Sequence, residues 1–268
     1  MERRKPASKG AQKPKKRPPT DQAATALGAV PEKRGLKSLP ESKKEGVGAS
    51  GQRDMRVNVK TAKKRKLSST LWLDRQLNDP YVARARAEGY RSRAAYKLKE
   101  MNEKFRLIKK GSRVVDLGCA PGGWLQAAVE AGAARVVGID YLPMPHVPGA
   151  EHLELDFLDG SAPDRLKELL GGEADVVLSD MAAPTTGHRR TDHLRIIALA
   201  EAALDFAEDV LAPGGAFVCK VFQGGAEGEL LTRLKGDFTN VKHAKPKSSR
   251  ADSAEVYVVA TDYRGRKQ

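Results

Sequence analysis

The stretch RVVDLGCAPGGW, residues 113–124, decides how the chain folds. A short β-branched run, Val114 and Val115, ends in Asp116-Leu117-Gly118; a loop rich in glycine and proline follows, then a helical pattern over 125–131. Strand, glycine turn and helix, in that order, open a nucleotide-binding α/β sheet. Without a Cβ, the backbone at Gly118, Gly122 and Gly123 can turn tightly and lie against a ligand. The spacing G-x-x-x-G-G differs from the dinucleotide fingerprint G-x-G-x-x-G, and Pro121 removes a backbone donor where a pyrophosphate would want one. A nucleoside ligand without a diphosphate fits better, and S-adenosylmethionine (SAM) is the leading candidate. Taken alone, the loop also suits a tight strand-to-helix turn in any doubly wound domain.

Outward from this unit, strands and helices alternate. Strand patterns cover 135–140, 152–156, 174–180 and 216–222, with helical patterns over 162–170, 193–211 and 228–234. Pro213-Gly214-Gly215 is expected to separate the long helix from the fifth strand. The tail, 241–260, reads as two strands about the polar turn 245–253. Together these predict an α/β fold: a mostly parallel, seven-stranded sheet with helices on both faces. Before the sheet, Asp79-Pro80 marks a helix start. Helical spacing then runs to Leu107, divided into two helices at Gly89. Between Leu71 and Arg113, twelve Lys and Arg oppose five Asp and Glu, which favours a phosphate-contacting surface over a merely solvated one.

The net charge is +14, from 48 Lys and Arg against 34 Asp and Glu. Residues 1–66 hold 20 of the bases and 6 of the acids, so the whole excess lies in the first quarter of the chain. A basic segment without aromatic residues buries too little apolar surface to offset its ordering entropy. It reads as a disordered arm, 1–66, for a polyanion such as RNA, with a solubilising tail as the plainer alternative. Residues 67–268 then form the α/β domain, led by the basic helices. Cys119 and Cys219 are too few for a disulfide framework and fit a reducing cytoplasm. The N-terminus has no apolar core of a secretory signal, and organelle import ranks second to a cytoplasmic location. No apolar run reaches the ~18 residues of a membrane span. The five histidines are scattered without metal-ligand spacing, so no metal is expected.

Ligands of such sheets sit at the carboxyl ends of the strands. Asp140 ends the second strand about twenty residues past the glycines, where an acid accepts hydrogen bonds from ribose hydroxyls. Asp156-Phe157 ends the third; the acid can bind an adenine amino group and the ring can pack on the base, or the pair can cap the next helix. Lys220 lies inside an apolar strand, which costs desolvation energy unless it has a partner. Asp180 belongs on a neighbouring strand, Glu255 starts the last strand, and Lys97 can reach over from the basic helix. Two lysines and two carboxylates balance in charge. They form either a reactive site or a structural salt-bridge network.

Seven blocks in order resemble the FtsJ/RrmJ-type ribosomal RNA 2′-O-methyltransferases. They are RSRAAYKL (91–98), DLGCAPGGW (116–124), GIDYLPM (138–144), LDFLD (155–159), SDMAAP (179–184), FVCKVFQG (217–224) and SRADSAEVY (249–257). The resemblance covers 91–263 and excludes the basic arm. It implies a Rossmann-like SAM-dependent methyltransferase with a final antiparallel strand. It also implies a Lys-Asp-Lys-Glu tetrad, falling on Lys97, Asp180, Lys220 and Glu255. SAM binding falls on Gly122, Trp124, Asp140, Asp156 and Asp180, with Gly118, Pro121, Gly123 and Phe157 completing the expected cofactor site. Bacterial members of that family methylate the 2′-hydroxyl of a uridine in the peptidyl-transferase region of 23S rRNA, on the assembled large subunit. A monomer acting on that subunit is the expectation. Ala183 departs from the family, whose bacterial members often have Pro-Asn after the catalytic Asp-Met-Ala, so substrate contacts there are expected to differ. The first rival is a non-catalytic SAM-binding ribosome-assembly factor, against which the complete tetrad argues. A SAM enzyme acting on protein or a small molecule, and an NAD-dependent oxidoreductase, rank lower.

Overall fold

Alternating strands and helices can only close their apolar faces by stacking helices on both sides of one sheet, and the chain does this. The computed structural model describes residues 57–58, 61, 67–224 and 228–265. Of the arm expected over 1–66, all but 57, 58 and 61 lies outside the described residues. Three helices, α1 (Leu67–Leu77), α2 (Pro80–Glu88) and α3 (Ala94–Phe105), precede the sheet. Then come β1 (Arg113–Leu117), α4 (Gly123–Glu130), β2 (Arg135–Asp140), β3 (Glu151–Glu154), α5 (Ala162–Leu170) and β4 (Ala174–Ser179). The chain continues through α6 (Arg189–Val210), β5 (Leu211–Phe222), α7 (Gly228–Asp237), β6 (Phe238–Ala244) and β7 (Glu255–Tyr263).

The strand order is β3-β2-β1-β4-β5-β7-β6. β1 to β5 pair in parallel, and β7 runs antiparallel between β5 and β6. The order reverses between β1 and β4, and the crevice at that reversal is where ligands of such sheets bind. The period-two alternation of each strand sorts its side chains to opposite faces. Val115, Leu117, Val137, Ile139, Val177 and Phe217 pack with Leu166, Leu204 and Leu230 of α5, α6 and α7. Val114, Val136, Val176, Leu178, Val218 and Tyr257 pack with Leu98 and Met101 of α3 and with Trp124 and Leu125 of α4.

Local boundaries follow their caps. Asp79 caps α2 by accepting from the Tyr81 amide, and Gly89, at φ +81°, ends it in the left-handed conformation, as the sequence predicts. α6 starts at Arg189 instead of 193. His188 caps it, and the Asp192 carboxylate gathers the amide and hydroxyl of Thr186. β5 starts at Leu211 instead of 216: Leu211 pairs with Ala174, and the register shift before Val176 absorbs the Pro-Gly-Gly segment. β3 ends at Glu154, so Asp156 lies just beyond it.

Candidate active site

Four elements converge at the carboxyl end of β4. Asp180 follows β4 directly, its amide donating to Leu117 O of β1 at 3.2 Å. Lys220 of β5 sits opposite Tyr257 of β7, and Glu255 opposite Phe222. Lys220 shares the strand face of Ala216 and Val218, the face covered by α3, and Lys97 lies one turn into α3. A lysine in this alternation would be an error of patterning unless something met it. Its Nζ donates to Asp180 O at 2.7 Å and lies 3.2 Å from Asp180 Oδ1, with 6 % of the residue exposed.

Lys97 Nζ completes the group. It lies 4.0 Å from Asp180 Oδ2, 3.5 Å from Glu255 Oε2, and donates to the Tyr257 hydroxyl at 2.9 Å. That hydroxyl in turn donates to Asp180 Oδ1 at 2.8 Å. The four residues picked out in the sequence are thus brought together, with Tyr257 as an unforeseen fifth member at their centre. Burial alone would raise the pKa of Asp180, but the charges of Lys220 and Lys97, with the Tyr257 hydrogen bond, outweigh it and hold the carboxyl below its ordinary range. Burial, and next the charge of Asp180, push Tyr257 well above the usual phenol value, so its hydroxyl stays a donor. Asp116, behind the site on β1, is fully buried and neither carboxylate oxygen has a hydrogen-bond partner. Burial first, then Asp180 and Asp140, push it well above the usual carboxylate range, so its protonated form is favoured.

Beside this group opens a cleft of about 560 Å³. Gly118, Asp140, Asp156, Phe157 and Asp180 line it, together with Ile139, Leu142, Leu199 and Arg195. Asp140 is oriented by its own backbone: Oδ2 accepts from Ala120 N at 3.0 Å and Oδ1 from Leu142 N at 2.9 Å. Phe157 is held edge-on against Phe206 of α6. Gly118, at φ +80°, lies where a Cβ would come within 2.8 Å of Met181. Pro121, Gly122, Gly123 and Trp124 are not among the lining residues. Trp124 packs toward α3: its Nε1 donates to Ala94 O at 2.8 Å, and its ring meets Tyr257 at 5.7 Å. A Cβ on Gly123 would lie 2.4 Å from Ser92 Oγ. Arg91 ties the loop down, with its guanidinium donating to Pro121 O, Pro145 O and His146 O. Sequence reasoning missed Arg91, Arg195 and Tyr257. For Tyr257 the available signal was its even-numbered offset from Glu255 at the strand start.

The cleft suits SAM on its own chemistry. Three carboxylates against one guanidinium give it a negative bias, matching a ligand that carries a sulfonium and an ammonium, and its aliphatic and aromatic walls match a purine. Cys119 and Cys219 are buried and form no disulfide, and burial pushes the Cys119 thiol up, against a nucleophilic role. Among the described residues, no cluster of His, Cys, Asp and Glu has the makings of a metal site. No described helix is long and apolar enough to cross a membrane.

Residues 90–263 match the family described as FtsJ-like methyltransferase. A ribosomal RNA large subunit methyltransferase E from Parvibaculum lavamentivorans is 60% identical over 233 residues, covering 82% of this chain and 92% of that one. The protein of the same name from Paramagnetospirillum magneticum is 63% identical over 224 residues, covering 81% and 92%. A crystal structure described as a ribosomal RNA methyltransferase from Plasmodium falciparum superposes with a TM-score of 0.60 at 34% identity, over 66% of this chain and all of that one.

Proposed function

The chain belongs to the FtsJ-like methyltransferase family, and from that premise we propose that it transfers a methyl group from SAM to a ribose 2′-hydroxyl of large-subunit ribosomal RNA. The observation that carries the reading is the Lys220–Asp180–Tyr257–Lys97 network at the mouth of the cleft. Relatives about 60% identical carry the name of a large-subunit rRNA methyltransferase, which supports the choice of RNA.

When bound, SAM supplies an electrophilic methyl group on a sulfonium. Asp140 is placed for the ribose hydroxyls of SAM, and Asp156 with Phe157 for its adenine. Gly118 leaves the backbone bare beside them. The remaining difficulty is the nucleophile, because a sugar hydroxyl is weak and must be oriented and relieved of its proton. Lys220 is the group for this task. Two of its contacts, Asp180 O and Oδ1, fix Nζ in place and leave the rest of the ammonium for a substrate oxygen. As the neutral amine it takes the 2′ proton while the methyl passes to the oxygen and the sulfur leaves as a thioether; as the ammonium it stabilises the developing alkoxide. Asp180 and Tyr257 hold Lys220 and Lys97 in one geometry, and Glu255 balances Lys97. The basic segment 1–66 supplies sequence-independent attraction to RNA. A uridine of 23S rRNA on the assembled subunit is the proposed target, in the cytoplasm.

The test is a methyl-transfer assay with labelled SAM and large subunits from cells lacking the protein, followed by mapping of 2′-O-methyl groups. One new 2′-O-methyl nucleotide is the expected result. Label on a base or a ribosomal protein, or no label at all, overturns the proposal.

A further inference from the structure

The large cleft beside the tetrad has two lips, and they are held in different ways. One carries Tyr141, Leu142, Phe157 and Leu158, beyond β2 and β3. Its backbone is tied down: Leu142 N donates to Asp140 Oδ1, Leu155 N to Asp140 O, Leu158 N to Asp156 Oδ1 and Asp159 N to Asp156 O. The other lip is Ala182, Ala183 and Pro184, in the segment between β4 and α6. Among the described residues, no backbone–backbone hydrogen bond reaches 181–187. A stretch without such bonds opens at little cost, and lids over ligand sites are drawn from stretches of this kind.

Side chains of α6 hold this second lip instead. The Asp192 carboxylate accepts from Thr186 N at 2.7 Å, Thr186 Oγ1 at 2.6 Å and Gly187 N at 3.2 Å. Arg195, three residues on and so on the same helix face, donates from Nη1 to Pro184 O at 3.4 Å. The Thr186 hydroxyl first, and next its amide, hold the Asp192 carboxyl below its ordinary range, so the ionised acid is the form that fastens the segment.

The two ends of the segment are unlike. Met181 is seated over Gly118 and packs against the core. Gly187, at φ +83°, has open space where a Cβ would stand, so the backbone turns there unhindered. Between them Ala182, Pro184, Thr185 and Thr186 are exposed. A seated end, a glycine turn and a fastening by side chains make a strap across one side of the cleft. The opposite lip is tied by its own backbone, so an occupant lying between Asp140 and Asp180 comes and goes past the strap. Resting on the reading of the cleft as a SAM site, we infer that 182–187 is a gate for cofactor exchange and that Asp192 is the positioning residue that latches it through Thr186. Each turnover must replace S-adenosylhomocysteine by SAM, so the latch lies on the path of both entry and exit. Weakening it therefore speeds binding and release together, whereas loosening a fixed wall speeds release alone.

The test uses the full chain without RNA and measures association and dissociation rates of labelled SAM and labelled S-adenosylhomocysteine, with melting temperature as the control. Thr186→Val removes the hydroxyl bond to Asp192 at an exposed position, where loss of the fold is not expected. It should raise both rates about fivefold and leave the equilibrium affinity within about twofold, the size of effect one hydrogen bond supplies. Asp192→Ala, which removes all three bonds, should raise both rates further, and Thr186→Ser should restore wild-type rates. A rise in dissociation alone makes the segment a fixed wall and overturns the inference, and so do unchanged rates. Should Asp192→Ala fail to fold, the two Thr186 variants decide by the same criteria. Because the rates are read without methyl transfer, they do not depend on which RNA group is methylated. A wild-type chain that binds neither ligand removes the SAM reading of the cleft, and the gate with it, before any variant is compared.

Discussion

The hydroxyl of Tyr257 donates to Oδ1 of Asp180 at 2.8 Å, the same oxygen that lies 3.2 Å from Lys220 Nζ. Tyr257 also accepts from Lys97, so its hydroxyl links the second lysine to Asp180. Tyr257→Phe removes that bridge without a large change of volume. It leaves a buried carboxylate short of one donor, a defect worth about 1–3 kcal/mol. The expected outcome is a lower melting temperature and a fall in kcat of about tenfold or more, with SAM affinity little changed. Full activity in the phenylalanine protein would reduce Tyr257 to core packing.

Lys220 handles the substrate oxygen in the proposed mechanism, so Lys220→Ala is expected to abolish methyl transfer while SAM and subunits still bind. Lys220→Arg separates its two possible tasks. Arginine keeps the charge and does not give up its proton. If Lys220 removes the 2′ proton, the arginine protein is inactive at every pH; if it stabilises the alkoxide, the arginine protein keeps measurable activity. Substantial turnover in Lys220→Ala would remove it from both roles.

The two buried aspartates should shape stability in opposite directions with pH. Asp180 has its folded value held below the unfolded one, so its ionised form contributes stability above about pH 4, and this is lost as pH falls through the folded value. Asp116 has its folded value raised, so its contribution is intact below about pH 4 and disappears as pH rises toward the folded value. In the ligand-free protein, Asp116→Asn should therefore gain on wild type with rising pH, by up to about 1.4 kcal/mol per unit. Asp180→Asn should lose most at neutral pH and converge on wild type in acid. Urea midpoints from pH 2 to 8 give both curves, Asp180 in the acid part and Asp116 above about pH 4, and parallel curves would refute the assignment.

What was legible in the sequence had a local signature. The glycine turn, the acids at strand ends and the misplaced Lys220 all break a periodic pattern, and a break can be seen without coordinates. Tyr257 breaks nothing: in VYVVA a tyrosine is an ordinary strand residue, and only the pairing of β5 with β7 brings its hydroxyl to Asp180. The packing of the glycine loop is hidden for the same reason: Gly122, Gly123 and Trp124 follow the pattern of a ligand loop, and only the fold shows that they also meet Arg91, Ser92 and Ala94. An ion cluster of Asp79, Arg93 and Arg250 joins three distant segments, and no spacing in the chain announces it.

The first 66 residues hold the entire cationic excess of the chain, while the remainder balances 28 bases with 28 acids. Attraction to a polyanion through released counterions grows with the number of phosphates contacted, and each contact adds about one to the salt slope. Deleting residues 1–66 is therefore expected to weaken binding to large subunits and to flatten its salt dependence by several units, far more than any single arginine. Turnover at saturating subunit concentration should survive, because Lys97, Asp180, Lys220 and Glu255 all lie in the retained part. Single-turnover rates on the truncated and full chains, measured at 50 and 200 mM KCl, distinguish the cases. A salt slope equal to that of the full chain would mean that the segment contacts no phosphates, leaving recognition to the basic helices.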